Sequence, residues 1–286
     1  MKYMKRDAVL TNAAAAVLMV FILLPFVWLI ISSISSQLEL TSVPPHWIPE
    51  HPSVGNYGKL LGHAATAETT GDIPRFGTAM KNSLTVSFLS NMFCLVVGIL
   101  AAYSFARLKF RAQRFMMMSI IALRMLPEIA LVLPLYMIMK QMGLADTKTF
   151  LVIVYSSFVL PFVIWLLESY FRTIPKSLEE AAVMDGAGHM KIILHVIIPL
   201  SLPGIITTSI FALLNTWDEF LFALIFTNSY NAKTITVAIS EFTTRHMIDY
   251  GMMTAGGVVA ALPPILVSLV LQKYIVNGLT EGSVKE

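Results

Sequence analysis

The chain has 286 residues, 56% of them hydrophobic and only 13% charged, with a mean hydropathy of +0.73. An ordinary soluble domain carries about a quarter charged residues, so a single aqueous core cannot absorb this much apolar surface and lipid must be the solvent for most of it. The formal net charge of +3 gives no reason to propose a nucleic-acid partner, and the lone cysteine, Cys94, excludes an internal disulfide.

Six apolar runs reach the roughly 20 residues needed to cross a bilayer. In chain order they are Val9–Ile34, Met80–Ala106, Phe115–Met139, Phe150–Phe171, Leu202–Thr227 and Met253–Val276. Lys2, Lys5 and Arg6 precede the first run and "SSISSQ" follows it, as in a signal peptide, but the run well exceeds the roughly 7–15 residues of a signal core. It is therefore read as a span, with Trp28 as an interfacial anchor. The long Ser35–Ala79 loop holds Pro44, Pro45, Pro49 and Pro52, which favour turns over helix, and is read as a connector. Residues 1–286 form one membrane domain in this reading.

Orientation follows from where Lys and Arg gather in short loops. Arg107, Lys109, Arg111 and Arg114 crowd the link between spans two and three; Arg172, Lys176 and Lys191 lie between spans four and five. With the basic N-terminus and Lys273 and Lys285 on the same side, both termini are expected in the cytoplasm. The opposite side carries fewer positive charges.

Ionisable groups inside a span mark functional sites or internal pairs. In span three, "RMLPE" puts Arg124 and Glu128 four residues apart, on one helical face if the helix continues. Pro127 between them removes a backbone hydrogen bond and predicts a kink. The two either line a translocation pathway or form an internal ion pair that sets packing. In span five, "NTWDEF" supplies Asn215, Trp217, Asp218 and Glu219, with Asn82 at the outer end of span two as a further polar candidate.

Between spans four and five a loop over residues 172–200 breaks the apolar pattern, in the stretch "SLEEAAVMDGAGHMKIILHVIIPLSLPG" from Ser177 to Gly204. Ser177 and Glu180 have capping-box spacing, and Glu179 and Glu180 suit the positive end of a helix dipole. Gly186 and Gly188 offer a stop, and Pro199 and Pro203 an elbow into span five. The expected object is a short capped helix on the cytoplasmic side, hinged to the next membrane helix.

The stretch "EAAVMDGAGHMKIILHVIIP" resembles the EAA loop of ABC importer permease subunits. Glu180, Ala181, Ala182, Gly186 and Pro199 match at the right spacing, while Val196 and Ile198 stand for the usual Ile and Leu. Nearly the whole chain is similar to the carbohydrate branch, of the maltose-type second permease subunit, through "NSLTVSFLS", "LAAYSFARLKF", "LPLYMIMKQMGLADT", "FRTIPKSLEEAAVMDGAG", "WDEFLFAL" and "GLTEGSVKE". The resemblance implies an all-α integral membrane protein with six transmembrane helices, a type I ABC importer permease fold and a cytoplasmic EAA coupling helix. In it, Glu180, Ala181, Ala182, Asp185 and Gly186 would meet a separate ATPase subunit. The tail residues Gly282, Ser283, Val284 and Lys285 would reach between ATPase subunits or form a plain chain end; Glu286 departs from the family's terminal glycine. Arg124 stands where the family usually carries a neutral polar residue.

The resemblance further implies a second homologous permease subunit (a heterodimer), two ATPase subunits that bind ATP and Mg, and an extracytoplasmic sugar-binding protein. The location is a prokaryotic cell membrane, crossed several times. Di- or oligosaccharide import is the favoured function, with sugar-phosphate or polyol-like solutes as alternatives. A gradient-driven secondary transporter would instead show internal repeats and broken helices. No G-x-x-x-x-G-K-[ST], H-E-x-x-H or G-x-S-x-G motif is present, so catalysis, a cofactor and a metal site are not expected on this chain.

Overall fold

The computed structural model describes residues 2–44, 46–61, 76–243 and 248–281. Among the described residues there is no β-strand, only an isolated bridge pairing Thr243 with Ile248. The helices are α1 Lys2–Ile34, α2 Gln37–Leu40, α3 Gly55–Leu60, α4 Phe76–Arg107, α5 Gln113–Leu123, α6 Glu128–Gln141, α7 Lys148–Thr173, α8 Lys176–Met184, α9 His189–Ile192, α10 Ile198–Leu200, α11 Leu202–Trp217, α12 Leu221–Phe226, α13 Ile235–Ser240 and α14 Tyr250–Glu281. A π-helical turn, Ile193–Ile197, links α9 to α10.

Four of these helices are long and apolar enough to cross a membrane: α1, α4, α7 and α14. The count rises to six when each of two bent pairs is taken as one span. In the first pair α5 and α6 meet at 93°, and in the second the α9–α10 segment meets α11 at 82°. The sequence explains both bends. Pro127, extended at φ −65° and ψ 125°, is the N-cap of α6 and has no N–H to continue a helix. In the second pair the turn falls at Ser201, between Pro199 and Pro203. The third run is thus sharply broken rather than merely kinked. The fifth is not one helix either: α11 ends at Trp217, and α12 begins after Phe220.

The described residues fall into two compact units. One comprises the residues up to Gly77 together with Ala238–Leu262. There the end of α1 is tied to the following loop by Ser53 N–H donating to Ile34 O (2.8 Å) and by the 2.6 Å bond between the Ser33 and Tyr57 hydroxyls. Glu39 is the hub of that loop. Its carboxylate accepts from Ser36 N–H and hydroxyl, and from Glu50 and His51 N–H, which together hold its pKa down to about 2.

The other unit comprises Thr78–Val237 and Pro263 onward. The half-buried helix α7 is its axis. Val159, Val163, Leu167 and Phe171 of α7 pack with Cys94 and Ala102 of α4 and with Ile205 and Ala212 of α11. Toward its other end, Phe150, Leu151 and Val154 pack with Val86, Met139, Phe222 and Phe226. Glycines permit the closest approaches: a Cβ on Gly98 would lie 2.6 Å from Val163, and one on Gly204 would lie 2.5 Å from the Tyr170 ring. Gly204→Ala should therefore overpack the α11–α7 seam and destabilise the chain by about 1–3 kcal/mol. A fall in the detergent-solubilised melting temperature reads this, and an unchanged melting curve would show that the ring moves freely.

A clamp joins the α6–α7 loop to the segment after α12. Asp146 accepts from Asn228 N–H (2.8 Å), Ser229 N–H (3.0 Å) and the Ser229 hydroxyl (2.5 Å). Burial alone would raise its carboxyl, but these hydrogen bonds outweigh burial and hold the pKa below the ordinary aspartate value. The clamp is then fully present above that ordinary value and is lost as pH falls through the lower folded value. Asp146→Asn, which cannot accept equally from all three donors, should speed hydrogen exchange at the Asn228 and Ser229 amides at neutral pH. Equal exchange rates would mean that the loop is held by other groups.

Candidate functional site

The α8 segment is built differently from the expected capping box. Pro175 is the N-cap, Lys176 is already helical, and no side chain caps the start. Ser177 consequently lies inside the first turn, with Glu180 displaced beyond the capping position, so the Ser177–Glu180 box does not form. The first turn is held instead through Glu179. Arg107 Nε donates to its carboxylate, Tyr103 hydroxyl donates to it at 3.4 Å, and Arg107 Nη2 also donates to Ile174 O at 2.9 Å. The paired side chains are 6% and 11% exposed. Sequence reasoning had counted Arg107 only as an orientation charge and Glu179 only as a dipole partner; their separation along the chain hides the pairing.

At its other end α8 closes in a Schellman motif. Ala187 N–H donates to Ala182 O (2.9 Å) and Gly186 N–H to Val183 O (2.9 Å), with Gly186 left-handed at φ +79°. Of the two glycines expected to stop the helix, Gly186 does so; Gly188, extended at φ −79° and ψ 166°, begins α9. Ala182 is half-buried against the α4–α7–α11 core, whereas Glu180, Ala181, Asp185 and Gly186 are exposed. Beside them Met184 is 86% exposed. A groove of about 620 Å³ runs along this helix, lined by Tyr103, Lys176, Glu179, Ala181 and Met184. A firmly held short helix thus presents an uncovered, partly apolar face.

The charged candidates of spans three and five separate into two groups. Arg124, Glu128, Asn215 and Glu219 line one small polar cavity of about 50 Å³, with Tyr155 and Thr216. Arg124 caps the end of α5 while Glu128 opens α6, so the break removes them from a shared helical face. Among the described residues no ion pair joins them, and Arg124 instead lies 5.2 Å from the centre of the Phe162 ring. Glu219 accepts from Phe222 N–H (2.7 Å) and Ala223 N–H (3.2 Å), which starts α12 and explains why the apolar run is broken there.

Asn82, Trp217 and Asp218 do not line that cavity. Asn82 is buried and donates to Tyr230 O and Lys233 O while accepting from Lys148. Trp217 is buried beside an apolar cavity with Leu84, Phe88, Pro263 and Pro264. Asp218 is exposed at the end of α11. Tyr155, an unflagged aromatic in an apolar run, carried no signal in the sequence. Residues Gly282, Ser283, Val284 and Lys285 lie outside the described residues.

A family model described as "binding-protein-dependent transport system inner membrane component" matches residues 94–281. The chain belongs to that family. The match takes in α8, the polar cavity and both bent pairs. The permease is 32% identical over 272 residues to the sulfoquinovosyl glycerol transport system permease protein SmoH of Agrobacterium fabrum, covering 95% of this chain and 92% of that one. It is 33% identical over 273 residues to the trehalose/maltose transport system permease protein MalG of Thermococcus litoralis, covering 94% of each. Its fold is similar to a crystal structure of a bacterial ABC transporter involved in the import of the acidic polysaccharide alginate, with a TM-score of 0.76 at 22% identity over 94% of this chain and 96% of that one. The permease is the membrane component of an ABC importer and is not an enzyme; ATP hydrolysis belongs to separate subunits of such a system.

Proposed function

We propose that this permease subunit imports a carbohydrate, a di- or oligosaccharide, by ATP-driven alternating access, with α8 as the coupling helix. The observation that carries the coupling role is the combination of a rigidly anchored helix and an exposed face bearing Glu180, Ala181, Asp185 and Met184. A helix held by a buried ion pair at one end and a Schellman motif at the other transmits displacement instead of fraying. The force enters α4 through Glu179 and Arg107, and enters α11 through α9 and the π-turn. Two ATPase subunits, binding ATP and Mg, would supply it on the cytoplasmic side, where both termini also lie.

A second, homologous permease subunit would complete the pathway, and an extracytoplasmic binding protein would deliver the sugar. The relatives named above carry sugar substrates in their names, which supports the substrate class. On this chain Arg124, Glu128 and Asn215 are the polar groups suited to sugar hydroxyls, with Glu219 shared between the cavity and the start of α12. Broken helices with charged ends would equally suit a gradient-driven carrier; the exposed face of α8 favours an external motor.

The test is to copurify the complex, reconstitute it with its binding protein in proteoliposomes and screen a sugar panel with internal ATP. ATP-dependent uptake of a carbohydrate is expected. Uptake driven by an ion gradient with no ATPase present would overturn the proposal. A charged hydrogen bond is worth about 1.5–3 kcal/mol, so Arg124→Ala should lower uptake roughly tenfold or more while assembly is unchanged. An unaltered uptake profile across sugars would remove Arg124 from the pathway.

A further inference from the structure

The loop after α1 does not stand away from the membrane-spanning helix; it folds back beside it. Two ties fix its depth. Ser53 N–H bonds to Ile34 O at the end of α1, and Trp47 packs on Trp28, with ring centroids 5.0 Å apart at an angle of 56°. Trp28 precedes Ile34 by six residues, which at 1.5 Å per residue is about 9 Å back along the helix. The ring of Trp47 therefore reaches the level of the Trp28 ring, back from the end of α1 toward the middle of span one. Trp47 and its neighbours in this segment are apolar and uncovered: Val43 is 96% exposed, Ile48 79% and Trp47 68%. The polar groups of the same loop bond to one another: Glu39 accepts from Glu50 and His51 N–H, and His46 meets the Ser42 hydroxyl at 2.8 Å and the Glu50 carboxylate at 3.4 Å.

We propose that Val43, Trp47 and Ile48 insert into the lipid headgroup–acyl boundary and anchor span one at a set depth. The reach of Trp47, about 9 Å back from the end of α1, is comparable with the roughly 5–10 Å to which interfacial segments bury their apolar side chains, and paired tryptophans are suited to that zone. The exposed surface is also continuous with that of Phe21 to Val27 on α1, an apolar stretch of a membrane span. Lipid is thus the occupant that both the depth and the chemistry select, ahead of a protein partner.

The experiment uses the full chain in nanodiscs of phosphatidylcholine and phosphatidylglycerol. Val43→Cys carries a spin label, Cys94 being buried, and the unsubstituted chain serves as the labelling blank. Collision with oxygen, which concentrates in lipid, is compared with collision with a water-soluble nickel chelate, using Asn231→Cys on an exposed loop as the aqueous reference. The oxygen-to-nickel ratio at Val43 should exceed the reference several-fold. A ratio equal to the reference would place the loop in water and overturn the proposal. Exclusion of both reagents would mean that protein covers the loop, which overturns it as well. Ile48→Cys gives an independent reading if the first variant fails to fold.

Discussion

Glu179→Ala should abolish ATP-dependent uptake while the chain still inserts into the membrane. Glu179 and Arg107 are both almost fully shielded, and removing one member of a buried pair leaves the other charge uncompensated, at a cost of about 3–5 kcal/mol. Tyr103 also loses its carboxylate acceptor and keeps only its contact with His189 Nδ1, and the first turn of α8 has no side-chain cap to fall back on. The helix then keeps its exposed face but loses its rigid link to α4. Arg107→Ala should act in the same way. The double substitution Arg107→Met with Glu179→Leu replaces the pair by apolar groups of similar volume, which buried sites often tolerate; it should transport better than either single variant. Uptake in proteoliposomes, read beside copurification of the ATPase, decides the matter. Normal transport by both single variants would show that the pair is not the link.

At Gly186 the expected order of transport is Gly, then Asn, then Ala, with Pro inactive. The residue sits at φ +79° and its N–H donates to Val183 O. Asn tolerates the left-handed region. Ala in that region costs roughly 1–2 kcal/mol. Pro cannot adopt the angle and has no N–H to donate. Because α8 has only nine residues, loss of its C-terminal closure frees a large part of the helix. The readout is uptake normalised to the amount of inserted permease. Full uptake by Gly186→Pro would mean that a stiff C-terminal closure is not needed for coupling.

The residues of the candidate site differ in how far the sequence revealed them. Gly186 was legible because only a left-handed backbone makes glycine the residue of choice after a helix. The break at Pro127 was legible as a kink because proline lacks an N–H, though its size, 93°, was not. Ser177 and Glu180 matched a local pattern that the chain does not use: Pro175 takes the cap position and moves the helix start two residues earlier. Glu179 was overshadowed by its neighbour Glu180, since two adjacent carboxylates look alike until one of them turns inward to an arginine seventy-two positions away.

The candidate pathway divides in the same manner. Arg124, Glu128, Asn215 and Glu219 were marked by charge or polarity inside apolar runs, and they meet in one cavity with Tyr155. Trp217, flagged as a neighbour of those residues in "NTWDEF", packs into an apolar cavity, and Asn82 spends its amide on the loop carbonyls of Tyr230 and Lys233.

By itself, the amino-acid order determined the membrane environment, the approximate positions of the apolar runs, the family and the place of the segment that forms α8. These depend on composition, run length and spacing along the chain, which short-range physics reads directly. Tertiary structure alone decided which of two neighbouring glutamates is buried, which polar residues share a cavity, and how far the loop after α1 folds back. Each of those depends on pairs of residues distant in sequence, whose meeting is governed by the packing of whole helices.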